Sequence, residues 1–114
     1  MIHITDKQIT DLLYEAQSYP DRDAYISDLA LSSVWGDSPD ADIPEERIDY
    51  LGCIWDAAHR TVRDIAGLSG LSHRKLAERL SIPYRTVENW CGNQRSCPLY
   101  LRIMMQEILG LFSR

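Results

Sequence analysis

Residues 71–90 read LSHRKLAERLSIPYRTVENW, and their spacing predicts two short helices separated by a turn. Ser72 is a typical N-cap residue for the first of these helices. Ser81 lies at the position of the turn. Pro83 suits the start of the second helix, because its missing N–H is one that the first helical turn leaves unpaired anyway. We therefore predict a second helix over residues 83–91.

The apolar positions of this stretch fit two helices that cross at a steep angle. Ala77 is small enough to allow a close crossing of the two backbones. The residues expected to form a wedge-shaped core between them are Leu76, Leu80, Ile82, Val87 and Trp90. This core would leave the opposite side of the second helix to polar side chains.

The polar side of the second helix carries residue types that read DNA bases, namely Tyr84, Arg85, Glu88 and Asn89. Arginine pairs with guanine, asparagine pairs with adenine, and glutamate accepts a hydrogen bond from cytosine. We therefore predict that the helix over residues 83–91 lies in the major groove of double-stranded DNA. Plainer alternatives are Tyr84 as a core aromatic, Arg85 as a solvated charge, and Glu88 as a residue that orients Arg85 or repels wrong sites.

Residues 71–98 resemble a known group of DNA-binding proteins. From Leu71 to Trp90 the chain is similar to the helix-turn-helix of phage-repressor-like regulators of the Xre or Cro/C1 type. The string Ile-Pro-Tyr-Arg-Thr-Val-x-Asn-Trp, where x is any residue, and the Gly-Asn-Gln-Arg-Ser-Cys-Pro loop after it resemble small regulators of Gram-positive bacteria and their mobile elements. The resemblance covers about residues 58–112. It implies a lambda-repressor-like fold and a sequence-specific transcriptional regulator, repressor or antitoxin-like.

The resemblance also implies which residues hold DNA phosphates. They belong to the two helices and to the loop that follows them: His73, Arg74, Thr86, Asn93, Gln94 and Arg95. Phosphate contacts set affinity and register, whereas base contacts set specificity.

Two positions depart from the pattern of these regulators. Ser81 stands where they usually have glycine, at a turn position with left-handed backbone. His73 stands where they often have a glutamine that touches phosphate. Because a protonated histidine would bind phosphate better, we expect tighter DNA binding at about pH 6 than at about pH 8.

The charge of the chain is unevenly distributed, and its formal total is −5. Residues 1–59 hold 13 acidic and 3 basic residues, whereas residues 60–114 hold 4 acidic and 9 basic residues. Such a division fits a DNA-facing half joined to a half that faces something else, or two ordinary solvated surfaces.

Helical spacing recurs along the rest of the chain, and no alternation of apolar and polar residues predicts a strand. The first expected helix runs from the capping box of Thr5 and Gln8 to Pro20. A helix over about 21–35, with Val34 on its apolar side, and a loop at 36–42 are expected to follow. A third helix should start at Pro44 and carry the apolar stripe Ile48, Leu51, Ile54, Trp55 and Ala58. The apolar pattern also fits one long helix over residues 44–68, but Thr61 and Asp64 have the spacing that restarts a helix, so we predict a break near 59–61. The predicted fold class is all-α with six or seven helices. A helix-turn-helix domain over residues 58–114 would pack with an acidic helical segment over residues 1–57.

A final helix over residues 98–112 is apolar on almost every side. Only Arg102, Gln106 and Glu107 are charged or carry an amide. An all-round apolar helix must be covered on more than one side. The cover would come either from the N-terminal half or from a second subunit in a homodimer, and a dimer suits DNA half-sites about one helical turn apart.

Several other classes are disfavoured by the absence of their patterns. No run of about 18 apolar residues predicts a membrane span, and the first residues lack the pattern of a secretory signal, so we expect a cytoplasmic protein. Cys53, Cys91 and Cys97 are odd in number and lack metal-ligand spacing, so neither a disulfide framework nor a metal site is expected. No cofactor motif or catalytic spacing is present, so an enzyme is not expected.

Two further interpretations concern the acidic residues. Asp37, Asp40 and Asp42 lack the glycine and the distal glutamate of a calcium loop. Residues 1–57 have no family resemblance and are open to a protein partner. The alternative function is therefore a protein-binding inhibitor or counter-defence protein, whose acidic half would bind a host protein by competing for its nucleic-acid site.

Overall fold

The computed structural model describes residues 4–36 and 42–114. Within these ranges the chain forms seven α-helices, one short 3-10 helix and no strand, which confirms the predicted all-α class. The helices are α1 Asp6–Gln17, α2 Arg22–Ala30, the 3-10 helix Ser33–Trp35, α3 Glu45–His59, α4 Val62–Ser69, α5 His73–Leu80, α6 Tyr84–Cys91 and α7 Leu99–Ile108. The loop predicted at residues 36–42 falls mostly outside the described residues, together with Asp37, Asp40 and the first three residues. None of the described helices is long and apolar enough to cross a membrane.

The contacts divide the chain into two units. The first unit is residues 1–59 with Arg114, and the second unit is residues 60–113. The first unit contains α1 to α3, and the second contains α4 to α7. Every residue predicted to contact DNA lies in the second unit.

The start of α1 is the capping box that the sequence predicts. The Thr5 hydroxyl accepts a hydrogen bond from the Gln8 backbone N–H at 3.1 Å, and the Gln8 side chain accepts one from the Thr5 N–H at 2.8 Å. The predicted apolar face of α1 is buried in the first unit and consists of Ile9, Leu12, Leu13 and Ala16. Tyr25 of α2 is fully buried beside it and donates its hydroxyl proton to the Leu12 carbonyl at 2.8 Å.

The second helix is shorter than predicted, because it ends at Ala30 and not near Trp35. The Ser32 hydroxyl accepts a hydrogen bond from the Val34 N–H at 3.3 Å and starts the 3-10 helix. The Trp35 indole N–H donates to the Leu29 carbonyl at 2.8 Å, in the last turn of α2. Local side-chain bonds of this kind compete with the helical ladder and end it.

The apolar stripe predicted for α3 is wrong at one position. Ile48 is 40% exposed, whereas its neighbour Arg47 is only 6% exposed. The Arg47 guanidinium donates to the Ala30 carbonyl at 3.1 Å and lies 4.6 Å from the centre of the Trp35 ring. Arg47 therefore closes the end of α2, a role that a hydrophobic pattern does not register.

The predicted break after α3 is confirmed at Arg60 and Thr61. The Thr61 hydroxyl accepts a hydrogen bond from the Asp64 N–H at 3.1 Å, and the Asp64 carboxylate accepts one from the Thr61 N–H at 3.0 Å. This second capping box starts α4 and prevents one continuous helix. At the end of α3, His59 hydrogen-bonds the Ala16 carbonyl at 2.8 Å and stacks on Trp55.

The last helix is also shorter than predicted, because α7 ends at Ile108 and not near Phe112. Gly110 adopts a left-handed backbone with φ 75°. The Leu111 N–H then bonds back to the Gln106 carbonyl at 2.8 Å, which closes the helix in a Schellman-type turn.

Candidate nucleic-acid interface

The core of the second unit fixes how α5 and α6 are oriented. Its buried residues come from α4, α5, α6 and α7, and are Val62, Ile65, Ala66, Leu76, Ala77, Val87, Cys91 and Met105. The predicted core positions Leu80, Ile82 and Trp90 are partly buried and pack against them. Because Leu76 and Val87 are fully buried, the opposite sides of both helices face outward.

The turn between α5 and α6 is built on a left-handed residue. Ser81 has φ 56° and ψ 40°, the conformation expected at this position. The Ile82 N–H bonds back to the Ala77 carbonyl at 2.9 Å, across the turn. The Ser81 side chain is exposed and makes no hydrogen bond with the described residues, so no side-chain contact offsets the cost of the left-handed backbone.

The outward side of α6 carries the residues predicted to read bases. Tyr84 is 39% exposed and Arg85 is exposed, whereas Glu88 and Asn89 are half-buried. Thr86, predicted to bind phosphate, is half-buried on the same helix. Tyr84 is thus not a core aromatic.

Two side-chain pairs join the start of α5 to this side of α6. The His73 Nδ1 atom lies 2.7 Å from the Glu88 Oε1 atom. The guanidinium carbon of Arg74 lies 4.2 Å from the centre of the Tyr84 ring, a cation–π contact. The structure therefore brings together two residues predicted for phosphate and two predicted for bases.

Arg85 and Asn89 have no such pairing. Within the described residues, neither side chain makes a hydrogen bond, an ion pair or a ring contact. Arg85 keeps all five guanidinium donors available, and Asn89 keeps the donor and the acceptor of its amide. Arginine commonly pairs bidentately with guanine, and asparagine pairs bidentately with adenine.

The loop after α6 folds back on the end of that helix. The Asn89 carbonyl accepts hydrogen bonds from the N–H groups of Gln94 at 2.9 Å and Arg95 at 3.3 Å. Asn93 has a left-handed backbone with φ 61°, which asparagine tolerates better than most residues. The side chains of Asn93, Gln94 and Arg95 are all exposed, so this loop presents its polar groups beside the carboxyl end of α6.

A buried polar network on α7 was missed at the sequence level. Gln106 is fully buried, and its amide oxygen accepts a hydrogen bond from Arg60 at 3.1 Å. Arg102 donates to the carbonyls of Arg60 at 2.8 Å and Cys97 at 3.1 Å, and burial lowers its pKa. Arg60 and Arg102 therefore have structural roles, although both contribute to the basic charge of residues 60–114. Their signal was the spacing of Arg102 and Gln106, which lie four residues apart on an otherwise apolar helix.

The cysteines of the second unit are protonated packing residues. Burial raises the pKa of Cys97 to about 11 and also raises the pKa of Cys91. All three cysteines of the chain are free thiols. In the part of the chain that the structure describes, no three His, Cys, Asp or Glu side chains are grouped to hold a metal ion.

Comparison of the chain with protein-family models, with curated proteins and with solved structures gives no match. The case for a function therefore rests on the residues of α5, α6 and the loop that follows them.

Proposed function

We propose that this protein is a sequence-specific DNA-binding transcriptional regulator that acts in the cytoplasm, a repressor or an antitoxin-like protein. In this proposal α5 and α6 form a helix-turn-helix, and α6 enters the major groove. The observation that carries the proposal is the outward side of α6, where the side chains of Arg85 and Asn89 have no hydrogen-bond or ion-pair partner among the described residues. The resemblance to phage-repressor-like regulators adds to it and remains part of the proposal.

The proposed roles follow from chemistry and position. Arg85 and Asn89 read base edges, because both types pair bidentately with a purine. Arg74 and the exposed Arg95 contact phosphates on either side of α6. The ring of Tyr84 holds the Arg74 guanidinium at 4.2 Å, which limits its freedom before DNA binds. Ordering a side chain in advance lowers the entropy lost on binding.

The test begins with selection of bound sequences from a random DNA pool. The affinity of the wild type is then compared with that of Arg85→Ala and Arg95→Ala, on the selected site and on random DNA. Arg85→Ala should weaken binding to the selected site by roughly 5- to 100-fold and binding to random DNA far less. Arg95→Ala should weaken both equally and reduce the salt slope by about 1.

A matched control is Arg79→Ala, which removes an exposed arginine from the last turn of α5. It should change affinity and specificity less than either of the other variants. Failure of the wild type to enrich any sequence from the pool would contradict the proposal.

Association of two copies through α7 is part of the same proposal. Tyr100, Met104 and Ile108 are 57%, 53% and 53% exposed and recur every four residues on α7. An antiparallel pair of these helices would place Met104 on its twofold axis and Tyr100 against Ile108 of the second copy. A twofold protein would match two half-sites about one helical turn apart.

A second candidate function is suggested by the charges of the first unit. The three basic residues of positions 1–59 are all engaged: Lys7 pairs with Asp11 at 3.1 Å, Arg22 pairs with Asp56 at 3.0 Å, and Arg47 is buried. The remaining surface of the described residues is acidic, which suits a basic surface on another protein. The alternative is therefore an inhibitor that binds a host protein through this unit.

The same selection experiment separates the two candidates. A regulator enriches a DNA sequence, and reversal of an exposed acidic residue such as Asp23→Lys leaves that sequence preference unchanged. An inhibitor enriches none and binds a nucleic-acid-binding protein of the host, with an affinity that Asp23→Lys lowers.

A further inference from the structure

We infer that His73 positions Glu88 to accept a hydrogen bond from the amino group of a cytosine, so that specificity at one base pair depends on pH. The inference rests on the proposed function, because it assigns a base and a condition to one residue of the α6 surface. In it Glu88 touches DNA, and His73 is a positioning residue.

The geometry of the pair carries the inference. A carboxylate only accepts hydrogen bonds, so the 2.7 Å contact requires a proton on His73 Nδ1. The contact uses Oε1 of Glu88, and Oε2 makes no hydrogen bond with the residues that the structure describes. The Glu88 side chain remains 43% exposed, so Oε2 is accessible from outside. His73 thus holds one oxygen and leaves the other for a ligand.

The charge of the pair explains why protonation matters. With a neutral imidazole the pair keeps the negative charge of Glu88 beside DNA phosphates. With an imidazolium the pair is neutral overall, and the bond to Glu88 becomes a charge-assisted one. Histidine is the side chain type whose charge changes most readily between about pH 5 and pH 8, which makes it the usual pH switch in proteins.

His73 is the one histidine on the helices packed around the pair. The charged and titratable groups on the elements packed around it are Arg74, Lys75, Glu78 and Arg79 on α5, Tyr84, Arg85 and Cys91 on α6, and Arg63 and Asp64 on α4. None of these is a histidine, and histidine is the side chain type whose charge change falls in this range. Cys91 is moved further from it, because burial raises its pKa.

The chemistry of the major groove selects the base. Only cytosine and adenine present an amino donor there. Adenine also presents the N7 acceptor beside its amino group, which repels a carboxylate. A carboxylate held at one oxygen therefore favours cytosine.

The experiment compares site selection by the wild type at about pH 6 and about pH 8 with selection by three variants. Glu88→Ala removes the acceptor. His73→Gln keeps a hydrogen-bond donor but removes the titration. Glu78→Gln is the matched control, because it removes a glutamate of α5 that pairs with Lys75 and not with a histidine. The affinity of each variant is then measured on the selected site and on versions with one base pair changed.

The wild type should prefer cytosine at one position by roughly 5- to 100-fold at the lower pH, and by less at the higher pH. Glu88→Ala should lose the preference at that position alone and lose the pH dependence. His73→Gln should show, at both pH values, the weaker preference that the wild type shows at the higher pH, because its amide donor is always neutral. Glu78→Gln should retain both the preference and its pH dependence.

Two results overturn the inference while leaving the proposed function intact. The first is unchanged base preference at every position in Glu88→Ala. The second is a pH dependence that survives in Glu88→Ala, which would assign it to direct phosphate binding by His73. A wild type that enriches no DNA sequence overturns the proposed function, and the inference with it.

Discussion

Replacing Ser81 with glycine should stabilise the second unit, because the turn between α5 and α6 places a side chain on left-handed backbone. Ser81 has φ 56° and ψ 40°. Its side chain is exposed and makes no hydrogen bond with the described residues, so Ser81→Gly changes little besides the backbone preference.

The size of the effect is a difference of two backbone contributions. A residue with a Cβ atom in this conformation costs roughly 1–2 kcal/mol. Glycine removes that cost but gains freedom in the unfolded chain, which offsets about 0.4–1 kcal/mol. The expected net gain is about 0.5–1 kcal/mol in the free energy of unfolding, or roughly 2–8 °C in Tm for a unit of this size.

Gly70 provides the matched control in the opposite direction. It has φ 72° and ψ 17° at the end of α4, and an added Cβ atom would meet nothing within 4 Å. Gly70→Ala should therefore cost about as much as Ser81→Gly gains, for the same backbone reason. Both variants are measured by urea unfolding and by native-state hydrogen exchange, which assigns the change to the second unit residue by residue.

The reasoning would be refuted by one particular combination of results. If Gly70→Ala destabilises as expected but Ser81→Gly leaves the exchange rates of α5 and α6 unchanged, then Ser81 carries no backbone strain in the folded protein.

Three further outcomes are expected elsewhere in the chain. Gly52→Ala would press a methyl group against the Arg22 guanidinium and disrupt the Arg22–Asp56 ion pair. Its gain of about 1 kcal/mol from better helix propensity should therefore be partly cancelled. In an Arg22→Ala background, urea unfolding should show the full gain. Burial raises the pKa of Cys97 to about 11 from 9.0. The contribution of its thiol to the free energy of unfolding is therefore fully present below about pH 9 and is lost as pH rises through the pKa of the folded state. Cys97→Ala in reducing buffer should flatten this part of the curve of stability against pH. Met104→Glu should convert a dimer to a monomer in sedimentation equilibrium with little change in unfolding midpoint, and a wild type that is monomeric at high concentration would contradict association through α7.

The sequence by itself was sufficient for the elements whose hydrogen bonds are local. The capping boxes of Thr5 with Gln8 and of Thr61 with Asp64 join residues three positions apart. Such bonds depend on a few neighbours along the chain, so their residue types are enough to predict them. The left-handed backbone at Ser81 was expected from the resemblance to phage-repressor-like regulators, which usually have glycine at this position.

The C-terminal ends of α2 and α7 were predicted less accurately than the capping boxes. Trp35 ends α2 by bonding the Leu29 carbonyl, and Gly110 ends α7 by turning the chain back. In both cases an apolar periodicity continues beyond the last helical residue, so pattern alone extends the helix too far.

The pairing of polar side chains was decided by tertiary structure. The sequence predicted the residues on the outward side of α6, because that side follows from which apolar positions are buried. It did not predict that His73 meets Glu88, fifteen residues away, or that Arg47 is buried against the end of α2. A charged side chain can hydrogen-bond to water as well as to another side chain. Its partner therefore depends on which groups the packed helices bring within hydrogen-bond distance, and these distances are set only when the chain folds.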